Sequence, residues 1–157
     1  MAIKADDKNI GGVSAAILKL AQRAEYLTVR TLSYLGEQCV RKVRDRKGED
    51  SWYDQTGNLR SSVGYVIAHN GKILQYSEFN QVKDGAEGVL QGKQLAEQLV
   101  KTYSSGYALI IVAGMNYAEY VEAHDDKDVL ASTELWARQQ TPKMMDKLRK
   151  QIANVKL

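Results

Sequence analysis

Cysteine occurs once in this chain, at Cys39, and proline once, at Pro142. A lone thiol excludes an internal disulfide framework, and it agrees with synthesis in a reducing cytoplasm. No apolar run approaches the roughly 20 residues a membrane helix needs, so no membrane partner is expected. The first residues, Met1-Ala2-Ile3-Lys4-Ala5-Asp6-Asp7, hold no apolar h-region, and no signal peptide is expected. Charge of one sign is also lacking. Lys and Arg number 22 against 19 Asp and Glu, for a net charge of +3. That is a mixed surface, whereas nucleic-acid binders concentrate basic residues on one face. The densest cluster is Arg41-Lys42-Val43-Arg44-Asp45-Arg46-Lys47. It falls where a helix should end, and cations there suit the negative end of the helix dipole. Phosphate contact is the alternative use of such a cluster.

Groups with catalytic or ligating chemistry are equally sparse. Histidine occurs only at His69 and His124. His69 borders an Asn-Gly turn and should be exposed. His124 stands beside Asp125, Asp126 and Asp128, but a calcium loop needs Gly at its sixth position and Glu at its twelfth. Neither requirement is met from Asp126 or Asp128, which leaves a solvated acidic loop. Gly92-Lys93 lacks the Gly five residues before the pair and the Ser or Thr after it that a phosphate loop requires, since Glu87 and Gln94 stand there. No Ser-His-Asp or Cys-His set has supporting local context. Glu119 and Glu122 share a helical face, as surface acids commonly do. No enzyme activity, cofactor or metal is therefore expected.

The 157 residues, 44% of them hydrophobic, suit one domain with a real core. Residues 1–12 read as a loose polar arm. Ile17, Leu20, Ala24, Leu27, Thr31, Leu35, Cys39 and Val43 then recur at three- and four-residue steps, the stripe of a long helix. Gly36 could bend or break it. Cys39 lies on the stripe as a small core residue. A polar loop over 47–58 precedes a change of period. Val63, Tyr65 and Ile67 alternate with their neighbours, and Asn70-Gly71 is a strong hairpin signal. Strands are expected over 60–69 and 72–79, a loop over 80–90, and a helix over 91–103. Tyr107–Ala113 is apolar on both faces, the pattern of a central strand. A short helix over 117–123 follows, with Asn116 as its N-cap. Val129–Ser132 could add a short strand. The remainder reads as helix, restarting at Thr141-Pro142. The fold class is α+β: a small antiparallel sheet with a long N-terminal helix, a middle helix and a C-terminal helix packed against it.

Two segments add a resemblance. Tyr53-Asp54-Gln55-Thr56-Gly57-Asn58-Leu59-Arg60-Ser61-Ser62 opens the hairpin. Asn116-Tyr117-Ala118-Glu119-Tyr120-Val121-Glu122 follows the apolar run Leu109-Ile110-Ile111-Val112. In this order and spacing the chain, over about residues 13 to 155, resembles the tail-completion or head–tail joining (neck) proteins of long-tailed bacteriophages, the gene-product-ten-like family. Members often carry Gly-Thr after the Val-Glu pair and an Arg-Pro-Phe-like start to the last helix, where this chain has Ala123-His124 and Asp128–Thr133. The resemblance implies a structural virion protein made in the host bacterial cytoplasm and located at the neck. Its implied partners are copies of itself in a ring of about six, a head-side connector or stopper protein, and the tail tube or tail terminator. DNA would only pass through the lumen. Arg60, Glu119, Glu122, Asp125 and Asp126 are the candidate subunit or partner contacts, with the arm and the 80–90 loop beside them. A tail terminator ring is the alternative within the class. A small DNA-binding protein using Arg41–Lys47 with Lys147, Arg149 and Lys150 is the alternative outside it.

Overall fold

Asn70 and Gly71 both adopt positive φ, 51° and 74°, the left-handed conformation their short or absent side chains tolerate. They join strand β1 (Val63–His69) to β2 (Lys72–Tyr76) in antiparallel register, His69 opposite Lys72 and Val66 opposite Tyr76. A bulge between Ile67 and Ala68 shifts the register within the hairpin. The third strand, β3 (Tyr107–Ala113), pairs antiparallel with the other side of β1, from Val63 opposite Ala113 to His69 opposite Tyr107. The computed structural model describes residues 7–48, 51–124 and 128–155.

The strand order β2-β1-β3 makes β1 the centre and puts β3 at an edge. Tyr107–Ala113 is therefore not the central strand its composition suggests. It is apolar on both faces because helices lie against both. Helix α1 (Asp7–Arg44) packs on one face of the sheet and α3 (Ala86–Val100) on the other. Leu109 and Ile111 join the α1-side core with Val63, Tyr65 and Ile67. Ile110 and Val112 join the α3-side core with Val66 and Ala68. The long C-terminal helix α5 (Ala131–Ala153) lies along α1. The α+β architecture is the expected one.

Several boundaries differ from the sequence expectation. The first strand begins at Val63, because Asn58–Ser61 closes a helical turn of its own, α2. The middle helix begins at Ala86, so the loop before it runs only from Ser77 to Gly85. Helix α1 is already formed at Asp7, which shortens the expected arm; residues 1–6 lie outside the described residues. Val129–Ser132 adds no strand, since α5 starts at Ala131. Nor does α5 restart at Pro142, which lies inside it. Proline leaves the carbonyl four residues back without its donor. That residue is Arg138, exposed like Pro142 itself, so water can satisfy it. Short helix α4 (Ala118–His124) falls one residue from its expected place.

Gly36 does not break α1, which runs through it from Asp7 to Arg44. It lets the sheet approach: a Cβ there would lie 2.8 Å from the ring carbons of Tyr65. The stripe of α1 is buried from Leu27 onward, through Leu35, Cys39 and Val43, but Ile17 keeps 60% of its surface exposed. Among the described residues no helix is long and apolar enough to cross a membrane.

Candidate functional site

The polar residues around Arg60 fold inward. Asp54 is buried, and its two carboxylate oxygens accept the backbone N–H groups of Gly57 at 3.0 Å and Arg60 at 2.8 Å. These are donors at the start of α2, where a helix leaves its first N–H groups unpaired. Gly57 holds φ at 83°, and a side chain there would run into the Val82 carbonyl. Asn58 Oδ1 accepts the N–H of Gly88 at 3.1 Å, tying this turn to α3. Ser61 Oγ accepts the N–H of Val82 at 2.8 Å, and Ser62 Oγ donates to the Leu59 carbonyl at 2.8 Å. Leu59, Ser61 and Ser62 are fully buried. Thr56-to-Ser62 is thus a hydrogen-bonded knot that fixes the entry to β1 and the N-terminus of α3 together.

Arg60 clamps that knot to the end of α1. Its guanidinium donates to the carbonyls of Arg44 and Arg46 and to Ser51 Oγ at 2.8 Å. It also lies over the Trp52 ring, 4.7 Å from its centre. Its side chain is spent within its own chain, which gives this expected contact residue an internal structural role.

The second motif packs on the first. Tyr117, Ala118 and Val121 join the core cluster that holds Trp52 and Leu59. Burial raises the pKa of the Tyr117 hydroxyl, with the carboxylates of Asp54 and Glu87 adding to it. Segments 60 residues apart in sequence therefore meet at one end of the sheet. Glu119 is exposed and borders a hollow of about 390 Å³ shared with Gln91, Gln94 and Gln98 of α3. Glu122 is on α4, but its side chain, like that of Tyr120, lies outside the described residues, as do Asp125 and Asp126.

Most of the basic cluster is engaged. Arg44 donates to the Asn80 carbonyl at 2.6 Å. Burial lowers its pKa, with Asp45 opposing and neighbouring Arg60 adding to the effect. Arg46 pairs with the Asp128 carboxylate at 3.0 Å and reaches Ser132 Oγ at 2.9 Å. Lys42 lies 4.9 Å from the centre of the Trp136 ring. Arg41 and Lys47 are exposed, as are Lys147, Arg149 and Lys150.

Asp128, which composition assigns to a solvated acidic loop, has a structural task. Its Oδ1 accepts the N–H of Ser132 at 3.1 Å, in the first turn of α5. Burial pushes its pKa up, but the Ser132 hydrogen bonds and the charge of Arg46 outweigh that and leave it below the ordinary value. The signal that could have found it is an Asp a few residues before a helix start. The same signal marks Asp54 before α2. His69 is half-buried, not exposed, because its ring stacks on Tyr107 at 4.0 Å. Cys39 is 1% exposed, and burial pushes its thiol up to about 11, with Lys42 opposing, so it is a core residue and not a nucleophile. Among the described residues no three His, Cys, Asp or Glu side chains are grouped to hold a metal ion.

Comparison of the chain with models of known protein families, with curated proteins and with solved structures finds no match.

Proposed function

We propose that this protein is a non-enzymatic subunit of a phage neck. About six copies close into a ring that joins the DNA-filled head to the tail. A connector or stopper protein lies on the head side, and the tail tube or tail terminator on the other. DNA passes through the lumen, and no covalent step is involved.

The observation that carries this reading is the meeting of the two segments behind the resemblance. Leu59 of the first segment and Tyr117, Ala118 and Val121 of the second share one core cluster at one end of the sheet. Residues that pack as a unit are expected to be retained as a unit. The polar residues Asp54, Asn58, Ser61 and Ser62 serve that packing, each through a hydrogen bond to the backbone. A head-to-tail ring needs two different complementary patches on each subunit, and Glu119, exposed beside the α3 hollow, belongs to one surface that could supply a patch.

The DNA-binding alternative is weakened by the commitments of Lys42, Arg44 and Arg46 within the chain. The test is direct binding. Purified protein should bind tails made without it, and show no steep salt dependence of affinity for duplex DNA. A log–log salt slope worth several phosphates, with no binding to tails, would replace the neck with the DNA-binding reading.

A further inference from the structure

An exposed face shared by α1 and α5 carries cations and tyrosines with almost no free acid. Along α1, Lys19, Arg23, Tyr26, Arg30, Tyr34 and Arg41 follow at steps of four, three, four, four and seven residues. Such steps keep side chains on one side of a helix. All of them are exposed, and they span roughly 33 Å at 1.5 Å per residue. Helix α5 runs antiparallel beside α1, with Ser132 at Arg46 and Trp136 at Lys42. Its later turns therefore bring Lys147 next to Arg30 and Tyr34, with exposed Lys143 one turn before it. Among the described residues none of these six cations pairs with a carboxylate, whereas Arg46, Arg138 and Arg149 do. The nearby acids are engaged or turned elsewhere. Glu134 and Asp146 belong to Arg138 and Arg149, and Glu37 accepts the Tyr65 hydroxyl. Glu25 faces β3, where it adds to the burial that raises the Tyr107 pKa.

Between the two helices this face dips into a hollow of about 290 Å³. Buried Leu27 and Leu148, with Met144, give it an apolar floor, and Arg30, Tyr34 and Lys147 stand at its rim. The hollow falls just short of the ~300–1,000 Å³ of small-molecule clefts. It suits a single anchoring side chain better than a cofactor.

We propose that this face binds an acidic segment of a partner protein. The segment seats one apolar side chain in the hollow and flanks it with carboxylates for Arg30 and Lys147. Charge selects an acidic occupant, because an apolar one would desolvate unpaired cations at a cost nothing repays. The floor selects a protein over a nucleic acid, since a phosphate backbone has no apolar group to bury against Leu27 and Leu148. The spacing agrees. Between Arg30 and Arg41 lie roughly 16 Å of helix in which the stripe offers Tyr34 and Glu37 and no cation. That gap interrupts a track of phosphate contacts. Tyrosine and arginine are also the residues that carry much of the energy at protein interfaces. Arg23 already rests 5.2 Å from the centre of the Tyr26 ring, so less of its freedom is lost on binding. The inference goes beyond the neck reading and does not rest on it, since it fixes the chemistry of a partner and not its place in an assembly.

Fluorescence anisotropy with the full chain tests it. The probes are two labelled glutamate-rich peptides of equal charge, one with leucine at its centre and one with serine there. Single- and double-stranded DNA oligonucleotides are the third and fourth. The leucine peptide should bind, and the serine peptide should bind at least about tenfold more weakly, the loss expected when one apolar side chain is no longer buried. DNA should bind more weakly than the leucine peptide. Arg30→Glu with Lys147→Glu should abolish peptide binding while leaving the far-UV spectrum and Tm in place, because both residues are exposed. Lys101→Glu with Lys150→Glu, an equal change of charge elsewhere on the surface, should leave binding in place. Equal binding of the two peptides would overturn the proposal, as would tighter binding of either DNA. So would no peptide binding at all, or equal effects of the two charge reversals. Loss of the peptide site alongside retained binding to tails would remove this face from tail contact and leave the neck reading standing. Peptide binding by a protein that does not bind tails would do the reverse.

Discussion

Gly36 and Tyr65 are in face-to-ring contact: the bare backbone of the α1 glycine lies against the buried tyrosine ring of the central strand. The Tyr65 hydroxyl reaches past it to Glu37 at 3.0 Å. Burial first, and that carboxylate second, push the hydroxyl up to about 12. At an exposed helix site, alanine is favoured over glycine by about 1 kcal/mol. Here the added methyl meets a ring held on all sides. Gly36→Ala should therefore destabilise the fold by about 1–3 kcal/mol, measured by urea titration. A gain in stability would show that the ring is free to move away.

Asp54 gives a second prediction. Its carboxylate takes two N–H groups at the start of α2 from a buried position. Asp54→Ala should cost about 1–3 kcal/mol, because donors lose their partner where water does not reach easily. Amide exchange at Gly57 and Arg60 should speed up in the variant. Unchanged exchange at both would mean that the cap does not hold the turn.

The stripe of α1 shows what sequence could and could not tell. Its period was legible, and so was the burial of Leu27, Leu35, Cys39 and Val43, because spacing alone decides which side chains share a face. Which part of the stripe the body covers was not legible, because that depends on where α5 ends and the sheet lies. Leu27→Ala should cost about 2–5 kcal/mol, and Ile17→Ala within ~0.5 kcal/mol, in denaturant titrations of dilute protein. Equal losses would contradict the coverage seen here.

The strands and the Asn70-Gly71 turn were legible for the same local reason. The rank of β3 was not, since an edge strand between two helices has the composition of a central one. The site was legible as two segments but not as one place. Composition cannot show that Leu59 and Val121 share a core, or that Arg60 turns inward onto Trp52.

Asp128 sets an acid limb. Its folded pKa lies below the ordinary 3.8, so its contribution is fully present above the unfolded value and is lost as pH falls through the folded one. Asp128→Asn should lower stability at neutral pH by about 1 kcal/mol, and the variant should lose less than the parent over the acid range below the ordinary carboxylate value. Identical slopes in the two proteins over that range would remove Asp128 from the acid response.

The central claim is a role in joining heads to tails without any covalent step. If the proposed neck reading holds, the most direct measurement is electron microscopy of particles made by a phage that carries this gene, with the gene inactivated. The account predicts DNA-filled heads and complete tails lying separate in the same lysate. Normally joined virions, or empty heads with no packaged genome, would contradict it.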